Sequence, residues 1–315
     1  MGKVAYLFPG QGAQKVGMAS DFRLPGSAGR SLYDRAAQTL GWDLASLCDD
    51  GPEEALKQTI HTQPALYVAS CAAVEEFRLL APRVRPHAMA GHSVGEYAAL
   101  YAAGAMDFEV GLRLVARRST LMQEAAAARP GAMAAVIGLA AEAVAEACAE
   151  AAEAGIVGVA NCNCPGQVVI SGEEAAVEQA SAAAKARGAR MITRLQVSGG
   201  FHSPLMATAG DALYPDLREA GFRPTDVPVV VNVEAAYCSN GIDVAPFLTM
   251  QVSGSVRWEE SMRLLLADGC DTFVELGCGN VLSGLMKRID RSARSLVVED
   301  SATLEAACAA LAAAE

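Results

Sequence analysis

The sequence is short of positive charge and of long apolar runs. Its 315 residues include 25 Lys and Arg against 36 Asp and Glu, and the net charge of −11 argues against non-specific binding to nucleic acid. No apolar run reaches the roughly 18 to 20 residues that a membrane span requires. The start of the chain lacks a signal-peptide cleavage pattern. We therefore expect a cytoplasmic protein without a membrane or nucleic-acid partner.

Metal-binding and disulfide patterns are missing as well. The four histidines show no His-Glu-x-x-His spacing, which removes support for a zinc hydrolase. The nine cysteines are odd in number and scattered, as expected of reduced, mostly buried thiols in a cytosolic protein. What the chain does have is apolar material: 52% of its residues are hydrophobic and only 19% are charged, enough for a sizeable core in one or two domains.

One short motif stands out, Gly-His-Ser-Val-Gly at 91–95. A weakly apolar run reaches it from Val84 and a run of helix formers leaves it. A strand, a tight turn and a helix are the context in which Gly-x-Ser-x-Gly forms a nucleophile elbow. The two glycines suit such a turn, because side chains there would crowd the backbone. The sequence predicts that Ser93 is a nucleophile, exposed at the carboxyl end of a strand.

A second glycine-rich loop follows the first predicted strand, at 3–8. It does not match the dinucleotide-binding pattern, since Lys15 stands where the third glycine belongs, and it lacks the Gly-Lys-Ser/Thr of a P-loop. Two interpretations stay open here. The loop is either a plain tight turn or a device that places Gln11 beside Ser93.

The middle of the chain has its own pattern of elements. Residues 130–197 predict the order βαββαβ, the split βαβ of a ferredoxin-like subdomain. The flanking segments, 1–129 and 198–315, alternate apolar strands with helices, which predicts a parallel, doubly wound sheet. One of these helices is expected at 65–80, opened by Pro64 in its first turn. The predicted fold is thus an α/β body with an inserted ferredoxin-like subdomain.

A serine needs a base to become a nucleophile. His202 lies in a glycine-rich loop, Ser-Gly-Gly-Phe-His-Ser-Pro at 198–204, where the chain returns to the body, and it is the candidate base. A typical hydrolase would carry an acid between the serine and the histidine. The only aspartate there is Asp107, just past the predicted elbow helix. A dyad whose histidine is oriented by backbone carbonyls or an amide fits better and weakens the esterase interpretation.

Arg118 falls on a predicted helix, 108–128, one turn from apolar residues. It either extends along the surface with its stem covered or faces the site. In the second case its planar fork suits a substrate carboxylate held by two hydrogen bonds. It would also reject uncharged acyl groups, which leave a desolvated cation unpaired.

Taken together, these residues resemble a known family, the malonyl-CoA:acyl carrier protein transacylases and the acyltransferase domains of polyketide synthases. The resemblance covers essentially the whole chain. It rests on six motifs: Phe-Pro-Gly-Gln-Gly at 8–12, Gly-His-Ser-Val-Gly-Glu at 91–96, Arg-Arg-x-x-x-Met-Gln at 117–123, Asn-x-Asn-x-Pro-Gly-Gln-Val-Val-Ile-Ser-Gly at 161–172, Phe-His-Ser-Pro-Leu-Met at 201–206 and Gln-x-x-x-x-Val-x-Trp at 251–258.

The resemblance implies an α/β-hydrolase-like body, a ferredoxin-like subdomain and a cleft between them. It assigns roles as follows: Ser93 as nucleophile, His202 as base, the backbone amides of Gln11 and Val94 as oxyanion hole, Arg118 as carboxylate ligand, Gln251 as the residue whose carbonyl orients the histidine, and Phe201, Gln167 and Asn163 as substrate-binding residues. Phenylalanine before the histidine goes with malonyl rather than methylmalonyl in this family. Gly199 and Gly200 depart from the His-Ala or Tyr-Ala of synthase domains, which suggests a free-standing enzyme.

The implied function is ping-pong transfer of a malonyl group from malonyl-CoA to the phosphopantetheine thiol of acyl carrier protein, with no metal or other cofactor. We expect a monomeric enzyme. Alternatives are a serine hydrolase of acyl thioesters, a transferase for another carboxyacyl-CoA, and a non-catalytic carrier-protein scaffold. Whether the carrier protein serves fatty-acid or polyketide synthesis stays open.

A basic stretch offers a docking surface for an acidic carrier protein. Between Glu178 and Asp211 there is no acidic residue, and Lys185, Arg187 and Arg190 are all basic. They are predicted to steer the carrier protein and the CoA phosphates despite the acidic whole. The alternative is an ordinary solvated helix and strand.

Overall fold

The larger of two β-sheets carries the elements on which the predicted nucleophile lies. In the computed structural model, which describes residues 2–313, this sheet has six strands: β1 (Lys3–Phe8), β2 (Ala88–Gly91), β7 (Val229–Val231), β8 (Ala236–Cys238), β9 (Cys270–Leu276) and β10 (Arg294–Val298). Their order across the sheet is β10-β9-β1-β2-β7-β8. Neighbouring strands run parallel except for β7 and β8.

Burial on both faces explains why these strands form a parallel sheet. After Lys3, every residue of β1 is buried, and β2 is buried along its whole length. Strands covered on both faces are continuous apolar runs rather than alternating ones. The sequence does not predict β8, a strand of three residues, two of them exposed, which joins the sheet by an antiparallel pairing with β7.

Helices cover both faces of this sheet. They are α1 (Ala28–Leu40), α2 (Leu44–Asp50), α3 (Glu53–Leu56), α4 (Thr59–Leu80), α5 (Gly95–Ala102), α6 (Phe108–Ala128), α9 (Ala207–Glu219), α10 (Gly241–Ser253), α11 (Trp258–Ala267), α12 (Val281–Ile289) and α13 (Ser301–Ala312). The parallel sheet with its helices confirms the predicted α/β body.

The predicted start of α4 is wrong. The helix begins at Thr59, so Pro64 lies in its second turn rather than in its first. A proline there removes one backbone hydrogen bond and favours a helix end. Tertiary packing offsets that loss, because Thr59, Thr62 and Gln63 are all buried and the Thr62 hydroxyl donates to the Leu56 carbonyl at 2.5 Å.

The second sheet is the predicted insertion. It contains β3 (Ala132–Ile137), β4 (Val157–Cys164), β5 (Gln167–Gly172) and β6 (Met191–Arg194), antiparallel in the order β4-β5-β3-β6. Helices α7 (Ala141–Glu150) and α8 (Glu174–Ala186) pack on it through small side chains such as Ala147 and Ala180. This arrangement is the ferredoxin-like order predicted from the sequence.

A short backbone bridge joins the second sheet to the body. The Cys162 amide donates to the Val256 carbonyl at 3.0 Å, and the Val256 amide donates to the Ala160 carbonyl at 2.8 Å. Val256 lies between α10 and α11, so the bridge fixes β4 beside the carboxyl end of α10. No helix within residues 2–313 combines the length and the apolar character needed to cross a membrane.

Candidate active site

A sharp turn between β2 and α5 presents Ser93. Its φ angle of 53° lies in the left-handed region, which is strained for a residue other than glycine. The flanking glycines permit the turn. A Cβ on Gly91 would lie 2.0 Å from the carbonyl of Gly95, and a Cβ on Gly95 would lie 2.2 Å from the carbonyl oxygen of Phe8. This is the strand, tight turn and helix that the sequence predicts.

The Ser93 hydroxyl contacts a histidine 109 residues further along the chain. Ser93 Oγ lies 2.7 Å from His202 Nε2. The other ring nitrogen, Nδ1, lies 2.9 Å from the Gln251 carbonyl oxygen and 3.1 Å from that of Gly254. Carbonyl oxygens only accept, so Nδ1 carries the proton and Nε2 is left free to accept one from the serine.

The charge state of His202 follows from its surroundings. Burial, together with the neighbouring charges of Arg118 and His92, lowers the pKa of His202 to about 3. The ring is therefore neutral at neutral pH, the state in which it can act as a base. Among the described residues its ring contacts two carbonyls and no carboxylate, in agreement with the expectation of an acid-free dyad.

Arg118 reaches the same hydroxyl from α6. It is 1% exposed, whereas the adjacent Arg117 lies at the surface beside Asp216. Arg118 Nη2 donates to Ser93 Oγ at 3.1 Å and to Gln251 Oε1 at 2.9 Å, and Nη1 donates to Gln63 Oε1 at 2.7 Å. Arg118 therefore faces the site rather than extending along the surface.

This guanidinium is a cation without an anion. In the part of the chain that the structure describes, Arg118 forms no ion pair, and its Nε has no hydrogen-bond partner. Burial lowers the pKa of Arg118, because the charged form is poorly solvated there. A buried cation without a carboxylate partner is costly, and a carboxylate-bearing ligand would relieve that cost.

Two residues with unpaired backbone amides line the same space. Gln11 and Val94 line the cavity at Ser93, and neither N–H donates a hydrogen bond within residues 2–313. The loop that carries Gln11 packs directly on the elbow, since a Cβ on Gly10 would lie 2.4 Å from the His92 carbonyl oxygen. Free amides beside a nucleophile are the donors that an oxyanion hole requires.

The cavity wall comes from both the α/β body and the inserted subdomain. Phe201, Met122 and Met133 supply apolar surface, and Asn161 supplies a buried amide. Neither Asn163 nor Gln167 lines this cavity, although both are predicted substrate-binding residues.

Each of these two side chains has another partner. Asn163 Oδ1 lies 3.0 Å from Nε2 of His92, whose ring packs against Trp258. Gln167 Oε1 accepts from Arg288 at 2.5 Å. Two register shifts in β4 decide which of its residues face the cavity, and the sequence does not reveal such shifts.

The sequence motifs assign no role to Asn232, nor to Glu96, although Glu96 ends the Gly-His-Ser-Val-Gly-Glu motif. Asn232 follows β7 directly; its Oδ1 accepts from the Ser93 amide at 2.8 Å and its Nδ2 donates to the Gly91 carbonyl at 2.7 Å. Glu96 is 1% exposed and accepts from the Asn232 amide at 3.0 Å. For Asn232 the sequence does carry a signal, because it is a polar residue at the carboxyl end of a parallel strand, where ligands and catalytic groups gather.

The basic residues of the predicted docking surface have local partners. Lys185 Nζ donates to the Ala189 and Arg190 carbonyls, each at 3.2 Å. Arg187 pairs with Glu150. Arg190 has no carboxylate within ion-pair distance among the described residues, and it lines a second cavity together with Arg288.

Comparisons with known proteins agree with this geometry. A family model described as acyl transferase domain matches residues 5–305. The malonyl CoA-acyl carrier protein transacylase of Bacillus subtilis is 43% identical over 308 residues, which cover 98% of this chain and 96% of the relative. The crystal structure of an acyl carrier protein S-malonyltransferase from Vibrio cholerae is 42% identical with a TM-score of 0.93, covering 97% of this chain and 99% of the other.

A third relative was solved with its partner. It is a malonyl-transacylase in complex with the holo acyl carrier protein of a type II polyketide synthase. It is 40% identical with a TM-score of 0.92, and the match covers 98% of this chain and 99% of that one.

Proposed function

The chain belongs to the acyl transferase family and is an acyltransferase, and we propose that it moves a malonyl group from malonyl-CoA to the phosphopantetheine thiol of an acyl carrier protein. Such transfer supplies fatty-acid or polyketide synthesis. One observation carries the choice of acyl group: the buried guanidinium of Arg118 lies 3.1 Å from the Ser93 hydroxyl. A carboxylate at the far end of a short acyl chain would pair with it.

Acylation begins with proton transfer to His202. Nε2 takes the proton of Ser93 while Oγ attacks the thioester carbonyl carbon. The negative charge that develops on the carbonyl oxygen is held by the amides of Gln11 and Val94, worth about 3 kcal/mol per donor in comparable sites. The carbon–sulfur bond then breaks, His202 returns its proton to the leaving CoA thiolate, and a malonyl-serine ester remains.

Deacylation runs the same steps in reverse. After CoA leaves, the phosphopantetheine thiol gives its proton to His202 and attacks the ester carbonyl. The Ser93 oxygen leaves and recovers the proton, and the malonyl group departs on the carrier protein. The two acyl acceptors use one site in turn, which is ping-pong kinetics.

Selectivity comes from Arg118 and from the wall of the cavity. A malonyl carboxylate would form charge-assisted hydrogen bonds with the guanidinium, whereas an uncharged acyl group would leave the buried cation unpaired. Phe201, which is buried in the wall, favours malonyl over the bulkier methylmalonyl group.

Mass spectrometry of the intact protein tests the proposal. Incubation with malonyl-CoA alone is expected to give one malonyl adduct on Ser93 and to stall there, because no acceptor thiol is present. A hydrolase would instead release malonate steadily. Ser93→Ala should give no adduct, and a folded wild-type protein without the adduct would contradict the proposal.

Docking of the carrier protein is proposed at Lys185, Arg187 and Arg190. Charge reversal at Lys185 and Arg187 should raise the KM values for carrier protein and for malonyl-CoA at low salt and leave the acylation rate at saturating malonyl-CoA unchanged. Since Arg187 is already paired with Glu150, Arg190→Glu is made as well. An unchanged carrier-protein KM in all three variants would exclude this surface.

A further inference from the structure

Glu96 is a buried carboxyl group that the proposed mechanism does not use. It lies in the first turn of α5, three residues after Ser93, and is 1% exposed. It is not among the residues that line the cavity, so it does not touch the substrate. Carboxyl groups are almost never fully buried unless they have partners, and its partners show what it does.

Glu96 forms hydrogen bonds with two residues that themselves contact Ser93. Glu96 Oε2 accepts from Gln251 Nε2 at 2.8 Å and from the Asn232 amide at 3.0 Å. Gln251 lies in the last turn of α10, and Asn232 follows β7. One carboxylate oxygen therefore ties the elbow helix to two separate elements that hold the serine, the arginine and the histidine.

The side-chain amide of Gln251 has a fixed direction. Its nitrogen donates to Glu96 and, at 2.9 Å, to the Ser93 carbonyl, while its oxygen accepts from Arg118. If the amide turned over, its NH2 group would face the Arg118 guanidinium, and two donors would meet. The acceptors on the nitrogen side prevent this, and the charged one is the stronger.

The charge of Arg118 is a second reason to consider Glu96. Arg118 forms no ion pair within residues 2–313, and Glu96 is joined to it through a single intervening group, the amide of Gln251. Burial raises the pKa of Glu96 to about 7, while the charge of Arg118 acts against that rise. Glu96 in turn acts against the fall in the pKa of Arg118 that burial causes.

We propose that Glu96 is a positioning residue for carboxylated acyl groups: it orients the Gln251 amide, which holds the Arg118 fork toward the Ser93 hydroxyl. This inference rests on the proposed function, because it assigns Glu96 a part in binding the acyl carboxylate. It does not extend to the base, since His202 contacts the backbone carbonyl of Gln251, which α10 holds independently of the side chain.

The test compares a charged and an uncharged acyl donor. Glu96→Gln keeps the shape but replaces a charged acceptor with a neutral amide, one half of which is a donor. Acylation of Ser93 by malonyl-CoA and by a neutral ester, p-nitrophenyl acetate, is measured over a range of donor concentrations at about pH 8, above the pKa of about 7 of Glu96, so that the wild-type carboxyl is ionised. We expect about a tenfold higher half-saturating concentration of malonyl-CoA and a change of less than twofold for the ester.

Glu275→Gln is the matched control. Glu275 is also fully buried and also accepts two N–H groups, from Leu282 and Ser283, but it has no contact with the site. The Glu275→Gln variant should have a lower melting temperature but an unchanged ratio of the rates of acylation by malonyl-CoA and by p-nitrophenyl acetate. Glu96→Asp is made in parallel. It keeps the charge but withdraws the carboxylate from Gln251, so the same selective loss is expected. If Glu96→Gln does not fold, Glu96→Asp serves as the test in its place.

The outcomes separate this inference from the proposed function. A wild-type protein that malonyl-CoA does not acylate contradicts the proposed function itself. If the wild type is acylated, a selective loss for malonyl-CoA in the folded Glu96 variant supports the inference. An unchanged malonyl-CoA dependence, or an equal loss for both donors, overturns it.

Discussion

Replacing Arg118 by methionine removes a charge from the site while keeping most of the side-chain stem. The guanidinium that would be lost donates to Ser93, Gln63 and Gln251. Methionine still fills the space beside the Tyr97 ring, over which Arg118 Cζ lies at 5.9 Å. The variant therefore tests the charge and its hydrogen bonds rather than the packing.

The expected loss for malonyl-CoA is large. Removing one partner of a buried ion pair costs about 3–5 kcal/mol. Since about 1.4 kcal/mol is a factor of ten, kcat/KM for malonyl-CoA should fall by roughly a hundredfold to a few thousandfold. The cost applies because the malonyl carboxylate would be left buried without its cation.

Acetyl-CoA should respond in the opposite direction. It has no carboxylate, so the wild-type site leaves the Arg118 cation unpaired when acetyl-CoA binds, and the methionine variant removes that cost. The charge of Arg118 is also one of the causes of the low pKa of His202, so its removal raises the pKa of the base. We expect acetylation of Ser93 to be as fast as in the wild type or faster.

Quenched-flow acylation followed by mass spectrometry measures both donors. Arg117→Met is the control, because Arg117 is the exposed neighbour on the same helix and pairs with Asp216 at 3.3 Å. It should change neither rate by more than about twofold. An equal loss for malonyl-CoA and acetyl-CoA in Arg118→Met would refute the reasoning, since it would show that Arg118 does not recognise the carboxylate.

Three further predictions concern the elbow and the base. Gly95→Ala should lower both the melting temperature and the acylation rate, because the new Cβ would meet the Phe8 carbonyl oxygen at 2.2 Å; a fully active variant would exclude that close packing. Asn232→Ala should slow acylation by charged and neutral donors alike, as it removes the acceptor of the Ser93 amide; a loss confined to malonyl-CoA would contradict this. His202 has a folded pKa of about 3, below its ordinary 6.5, so its stabilising contribution is present above pH 6.5 and is lost as pH falls toward 3. Between pH 7 and pH 5 the wild type should lose about 2 kcal/mol more unfolding free energy than His202→Gln, as measured by urea titration at each pH; equal losses would show that the pKa is not depressed.

The part of the site that the sequence predicts is the part encoded in short local patterns. The Gly-x-Ser-x-Gly motif specifies the elbow by itself, because the glycines, the turn and the helix are contiguous. His202 also stands in a recognisable loop. The ferredoxin-like order follows from the alternation of elements between 130 and 197, since consecutive strands and helices there pack on one another.

What the sequence does not predict depends on register between distant strands. Asn232 reaches the elbow only because β7 pairs with β2, with Met89 beside Val229. Asn163 and Gln167 share a motif with Asn161, yet the irregular register of β4 gives only Asn161 a place in the cavity wall. The early start of α4 likewise depends on tertiary burial, which overrides the local preference of proline.

The carbonyl partners of His202 have a consequence for the reactions that this site can sustain. In a Ser-His-Asp triad, the aspartate stabilises the positively charged imidazolium until the imidazolium transfers its proton to a poor leaving group. Two neutral carbonyl oxygens give weaker stabilisation to that positive charge. A thiolate can leave with little protonation, since thiols are far more acidic than amines. The ring therefore suits the transfer of an acyl group between thiols by way of the Ser93 ester and is poorly suited to cleaving amides.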